Sequence, residues 1–363
     1  MTPVNHFPKL TIHSQKLKEN TQLIMDTCGQ LDIQVSGVVK GTNGYPGVLE
    51  SMIGAGMTHF ASSRLDQLGR LKSMNPDLHT LALRIPMLSE LEDLVEVADC
   101  SLNSEQETLA HLNQVCQAKG ITHEVILMCD LGDLREGYFS NERLLEAAHF
   151  VEEECPHLYL KGIGTNLGCF GSVRPDKVNL QELVENARLI EESLRRPLDW
   201  VSGGASSSLP LVLNKDMPEG INHLRIGNSL FLRDMEEDYD FNFQGLHGDI
   251  FTLEGEIIEV RNKPTYPIGD KVVDAFGDEA VYQNKGIRRR AILAMGRQDL
   301  GDMTRLLPLD PGISLEGGSS DHTIVDVTDS DRAYQVGDII SFNILYEHVM
   351  FATGSPYIHK EII

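Results

Sequence analysis

The 363-residue sequence lacks a basic excess: Lys plus Arg number 31 against 54 for Asp plus Glu, a formal net charge of −23. That argues against a dedicated nucleic-acid binder, because neutralising phosphates needs a basic face. It argues equally against docking on anionic lipid, and it favours a protein that meets neutral or cationic small molecules. No apolar run approaches the ~18 residues of a membrane-crossing helix. The opening residues Met1-Thr2-Pro3-Val4-Asn5-His6 show no basic-then-apolar leader layout. The six cysteines form no CxxC pair and none follows Cys169, so reduced thiols, a cytoplasmic setting and no metal site are expected. No GxGxxG follows the first strand, which disfavours an open dinucleotide-binding sheet.

What the sequence does contain is rhythm. Apolar residues make up 41%, enough for a sizeable core. From residue 14 to 230 short β-rich runs alternate with longer amphipathic ones. Strands are expected at 33–40, 58–62, 80–85, 99–103, 124–130, 158–165, 200–203 and 224–227. Helices are expected between them, the first capped by Ser14 and another opened by a Ser89–Glu92 capping box. Eight such units in about 200 residues are the arithmetic of an α/β (β/α)8 barrel. Past residue 245 the period falls to two, with strands expected near 251–260, 291–295, 323–327 and 338–344. The reading is a TIM-like barrel over 1–240 followed by a C-terminal all-β domain over 246–363, with acidic residues 234–240 as the linker.

In such a barrel the chemistry sits at the C-terminal ends of the strands. Lys40 ends the first strand after Val38 and Val39, where desolvation can yield a nucleophilic amine or the side chain can simply snorkel. Arg135 follows the fifth strand and can fix a phenolate or carboxylate, or pair with Asp130, Asp133 or Glu136. Asn166 follows the sixth, as a neutral donor and acceptor or as a turn residue. The run 202–208, Ser-Gly-Gly-Ala-Ser-Ser-Ser, follows the seventh as an anion cradle or a flexible loop, and Gly227 and Asn228 after the eighth could complete the cradle. Arg225 lies inside the eighth strand, where burial costs several kcal/mol unless it is paired. A strand-one lysine, a strand-seven phosphate cradle and an inward strand-eight arginine together suggest a phosphorylated aldehyde, pyridoxal 5′-phosphate.

These residues resemble a known family. Val38-Val39-Lys40-Gly41-Thr42-Asn43-Gly44-Tyr45 looks like the lysine segment of alanine racemase, a fold-type III pyridoxal-phosphate enzyme. The ornithine racemase-like branch is resembled through the segments 127–137, 162–167, 202–208, 217–222, 296–299 and 319–322. The resemblance implies that Lys40 holds the cofactor and serves as one proton-transfer base, and that Arg225 faces the pyridine nitrogen and keeps it unprotonated. It implies that Ser206, Gly227 and Asn228 bind the phosphate and that Arg135 lies near the phenolate oxygen. Asn166 would sit against the ring, where alanine racemase has a histidine. It also implies a homodimer with shared active sites.

Two departures stand out. The family's second base, a tyrosine in a Ser-Tyr-Gly segment, is matched by Ala275-Phe276-Gly277, and phenylalanine carries no proton. Met128 stands where some relatives have a carbamylated lysine. Replacement bases could be Asp321, His322, Tyr282 or Tyr346, with the Asp321–His322 pair preferred. A one-base mechanism stays open. The expected activity is racemisation of an amino acid, basic such as ornithine, or alanine. The alternatives are a D-threonine aldolase- or D-serine dehydratase-type lyase, or a non-catalytic cofactor-binding protein.

Overall fold

The computed structural model describes residues 6–273, 276, 277, 279 and 281–363. They fall into two units. One comprises Leu17–Lys40 and Pro46–Gly248. The other comprises the described residues up to Lys16, Gly41–Tyr45 and those from Asp249 to Ile363.

The first strand, β1 (Lys9–Ile12), belongs to the second unit. The first unit is a closed parallel barrel of β2 (Gln34–Val38), β3 (His59–Ser62), β4 (His79–Ala82), β5 (Cys100–Asn103), β6 (His123–Cys129), β7 (Leu158–Thr165), β8 (Trp200–Ser202) and β9 (His223–Ile226). Strand β9 closes the ring on β2, with Gln34 opposite His223. The expected eight-strand barrel is therefore present. Its interior is apolar where Val38, Ala61, Leu81, Leu102, Ile126 and Met128 converge. Strands β7 and β8 approach so closely that a Cβ on Gly162 would lie 1.8 Å from the Trp200 carbonyl oxygen, so only glycine fits there.

The helices form because their apolar residues recur at helical spacing. Asn141–Glu154 buries Leu144, Ala147, Ala148 and Val151, and the Ser140 hydroxyl accepts from the Arg143 N–H at its start. Lys177–Leu194 buries Leu180, Leu183, Val184, Ala187 and Ile190 under an Asp176 cap. Each such buried leucine contributes about 2 kcal/mol.

Five of the eight barrel strands begin on an aromatic or imidazole ring, His59, His79, His123, Trp200 and His223. These rings gather at the N-terminal end of the barrel. Trp200 stacks on His223 at 4.0 Å, and His59 on His79 at 5.0 Å. The Lys161 ammonium lies 4.6 Å over the Trp200 ring. Glu124 ties the group together, 2.8 Å from both Lys161 and His79.

The second unit adds to β1 the strands β10 (Phe251–Pro264), β11 (Ile287–Leu293), β12 (Leu307–Pro308), β13 (Ser314–Gly318), β14 (Thr323–Asp326), β15 (Ile339–Asn343) and β16 (His359–Ile362). They form an eight-stranded sheet ordered β12-β15-β10-β11-β14-β13, with β1 pairing β10 and β16. In β10, Phe251, Leu253, Gly255 and Ile257 alternate inward, as period two requires.

Three local expectations are corrected. The N-terminal segment, assigned to the barrel by position, pairs Lys9–Ile12 with Glu254–Phe251 in the second sheet. The acidic run is no linker: Met235–Asp238 is a helical turn within the barrel unit, held by the Arg233–Glu236 ion pair (2.6 Å) and by Arg174 donating to the Tyr239 carbonyl. The Ser89–Glu92 box gives way to Glu90, whose Oε1 accepts from the Met87 N–H at 3.0 Å and whose two oxygens accept from Arg84 Nη2 at 2.8 and 2.7 Å.

Candidate active site

Lys40 opens a single 3-10 turn, Lys40–Thr42, just past β2. Its side chain is exposed yet hemmed in by protein groups. Desolvation lowers its proton affinity from the ordinary value; Arg135 and Arg225 add to the fall, while Cys169 and Glu136 oppose it. These charges meet at one end of the barrel, the end where β2, β6, β7 and β9 finish.

The loop after β6 is stiffened by its own carboxylates. Asp130 accepts from the Gly132 and Leu134 N–H groups at 2.9 and 3.0 Å. Asp133, 1% exposed, accepts from Gly168, Phe170 and Val173 N–H at 3.1, 3.0 and 3.3 Å. It thereby fastens the loop after β7, which carries Asn166 and Cys169, to the loop that carries Arg135. Arg135 donates from Nε and Nη2 to the two oxygens of Glu136, its neighbour in sequence, rather than to Asp130 or Asp133. That pairing raises the Arg135 proton affinity, and Cys169 adds to the rise. Met128 is fully buried in the barrel interior.

Arg225 is 3% exposed. It donates to the Thr165 carbonyl at 2.6 Å and to the Ser202 hydroxyl, which also lies 2.8 Å from His223 Nδ1. Burial pushes its proton affinity down to about 10, so the guanidinium is still charged at neutral pH. Past β8 and β9, the Ser206 hydroxyl accepts from Gly227 and Ser229 N–H at 3.2 and 3.3 Å. The buried Asn228 Oδ1 and Asn166 Nδ2 find no hydrogen-bond partner among the described residues. Buried polar atoms are normally satisfied, so orphans on both sides of the site mark where an outside polar group belongs. A phosphorylated pyridine aldehyde fits this donor set: an amine of lowered proton affinity, a hydroxyl-and-amide cradle, a buried guanidinium and two unpartnered amide atoms.

The remaining candidates belong to the second unit. Asp321 and His322 are exposed in the turn between β13 and β14, with His322 Nδ1 3.3 Å from the Ser319 hydroxyl. The Arg297 and Gln298 N–H groups donate to the Ser319 and Ser320 carbonyls at 3.0 and 3.1 Å, so two motifs far apart in sequence meet. Ala275 lies outside the described residues; Phe276 stacks under the Arg297 guanidinium at 4.2 Å. Tyr282 packs edge-on to Tyr266 at 6.5 Å. Tyr346 lies against Gly41, where a Cβ would come within 2.6 Å of its ring.

Sequence reasoning missed Asp133 and Cys169 as site-forming residues. The sequence offered Asp133 only as a partner for Arg135 and carried no signal of which distant N–H groups it would bind.

The fold is that of solved alanine racemases: the crystal structure of alanine racemase from E.faecalis superposes with a TM-score of 0.73 over 100% of both chains at 18% identity. The chain belongs to the alanine racemase family, whose N-terminal domain model matches residues 12–234. It is 42% identical over 359 residues to the ornithine racemase of Acetoanaerobium sticklandii, covering 98% of this chain and 100% of that one. It is 33% identical over 355 residues to the lysine racemase of Thermotoga maritima, covering 98% of each.

Proposed function

We propose that this protein is a pyridoxal 5′-phosphate-dependent amino-acid racemase acting on a basic amino acid such as ornithine, as a cytoplasmic homodimer. The observation that carries the reading is the charged Arg225 buried at the same end of the barrel as Lys40. Sequence relatives named as ornithine and lysine racemases support the substrate class.

The cofactor, when bound, would supply an electron sink for the carbanion at the substrate Cα. Lys40 would anchor it and move the Cα proton on one face. A lowered proton affinity favours the neutral amine that this work needs. Arg225, charged at neutral pH and fixed by Thr165 and Ser202, would sit at the pyridine nitrogen and disfavour its protonation. That choice weakens the sink and suits proton exchange over transamination. Ser206, Gly227 and Asn228 would hold the phosphate, Arg135 the phenolate side, and Asn166 the ring. Racemisation needs a proton donor on the opposite face, and Asp321 with His322 is assigned that part, since Phe276 cannot fill it. The net charge of −23 favours approach of a cationic substrate.

The test is incubation with L-ornithine and pyridoxal phosphate in D2O. Loss of the Cα–H signal by NMR and appearance of D-ornithine by chiral chromatography are expected, and Lys40→Ala should abolish both along with the visible absorbance band. Racemisation by Lys40→Ala, or a cleavage or ammonia-releasing product from the wild type, would overturn the assignment.

A further inference from the structure

We propose that Glu136 is a positioning residue of the barrel mouth, the fixed anionic partner that holds Arg135 beside Lys40. The inference rests on the racemase reading and adds a residue to it.

The pair is built unlike an ordinary surface salt bridge. Both oxygens of Glu136 accept from one edge of the guanidinium, Nε and Nη2, the parallel fork that fixes the orientation of an arginine. The carboxylate is the less accessible partner, its side chain 15% exposed against 40% for Arg135. The two residues are adjacent in sequence, so their pairing closes no loop and ties no distant segments together. What it can do is aim the guanidinium.

The backbone around the pair is held in place. Leu134, just before it, has φ +58, a left-handed conformation that a branched side chain adopts only under constraint. Gly137, just after it, has φ +131, and a Cβ there would lie 2.5 Å from the Asp130 nitrogen. The loop is closed at its base, where the Tyr138 N–H donates to the Met128 carbonyl at 2.7 Å and the Asp130 N–H to the Tyr138 carbonyl at 3.1 Å. Arg135 and Glu136 therefore project from a stretch with little freedom to turn away.

The charge arrangement gives the pair a purpose. Lys40, Arg135 and Arg225 bring three cations to one end of the barrel. Glu136 is the carboxylate whose field raises the proton affinity of both Lys40 and Arg225, against the effect of Arg135 on each. Without it, Lys40 would face the guanidinium groups of Arg135 and Arg225 with that offset gone.

The test compares wild type, Glu136→Gln and Glu136→Asp. The rate of Lys40 acetylation by acetic anhydride at pH 7.5, read by peptide mass spectrometry on the full chain without pyridoxal phosphate, reports the neutral amine. Glu136→Gln should acetylate Lys40 on the order of threefold faster, because a carboxylate that favours the ammonium is gone. Glu136→Asp keeps the charge and should stay within about twofold of wild type. With pyridoxal phosphate bound, the pH midpoint of the visible absorbance should move down in Glu136→Gln and be restored in Glu136→Asp. A merely structural pair would move neither reading. An unchanged or slower rate in Glu136→Gln, or Glu136→Asp behaving like Glu136→Gln, overturns the proposal. If Glu136→Gln loses the native Trp200 emission, the Glu136→Asp comparison with wild type decides: a rate more than about twofold from wild type refutes the charge argument. Failure of the wild type to develop a visible band would refute the racemase reading instead, and the acetylation rates would still report on Glu136.

Discussion

Acid should weaken the barrel through its buried imidazoles, and His123 is the cleanest place to measure it. Its ring is 2% exposed and lies 2.9 Å from the Ser101 hydroxyl through Nε2. Burial pushes its proton affinity from the ordinary 6.5 down to about 4. The folded state therefore resists protonation that the unfolded chain accepts. The neutral ring's contribution is complete above pH 6.5 and is lost as the pH falls from 6.5 towards 4. Two and a half units at ~1.4 kcal/mol each amount to about 3 kcal/mol in full, of which about 2 kcal/mol falls between pH 7 and pH 4.5.

The single tryptophan, Trp200, opens its barrel strand as His123 does, so its emission reports this end of the barrel. Urea unfolding followed at Trp200 would be run at pH 7.0 and 4.5 for wild type and His123→Gln. Carboxylates such as Asp99 and Glu124, held low by Lys72 and His79 respectively once desolvation is outweighed, titrate in both proteins and cancel in the comparison. Wild type should lose about 2 kcal/mol more than the variant across this interval. Equal losses would refute the reasoning, as would an NMR titration midpoint near 6.5 for His123 in the folded protein.

Other outcomes follow from the site. Asp133→Ala strands three N–H groups of the loop after β7 and should cost about 3 kcal/mol, with faster hydrogen exchange at Gly168, Phe170 and Val173; an unchanged exchange rate would show the clamp to be idle. Cys169 is exposed while the other five cysteines are buried, so iodoacetamide should label it alone and impair activity; peptide mapping checks both the site and its protection by pyridoxal phosphate. Burial reinforces this selectivity, pushing Cys28 up to about 12 and Cys116 and Cys155 up to about 11. Asp321→Asn with His322→Asn should slow D-product formation by about 100-fold or more while Cα deuterium exchange continues, the mark of a lost second base; loss of both signals together would remove that assignment.

Much of the molecule was legible because barrel strands and helices announce themselves locally. The runs 141–154 and 158–165 coincide with the helix Asn141–Glu154 and strand β7, since a helix face or a buried strand depends on neighbours a few residues away. The positions of the Lys40 and Arg225 charges were legible for the same reason: a charge ending or interrupting an apolar strand is visible in the string. The sequence determined by itself the number of barrel strands and the β character of the C-terminal third. Tertiary structure alone decided that β1 joins β10 and β16, hundreds of residues away, because sheet pairing is a long-range choice that no local period encodes. It decided equally that Asp133 would bind the loop after β7, and that Glu136, among three acidic neighbours, would take the Arg135 fork. Which carboxylate meets which donor is fixed by where the backbone turns, and the turns are set by contacts the chain makes only once it is folded.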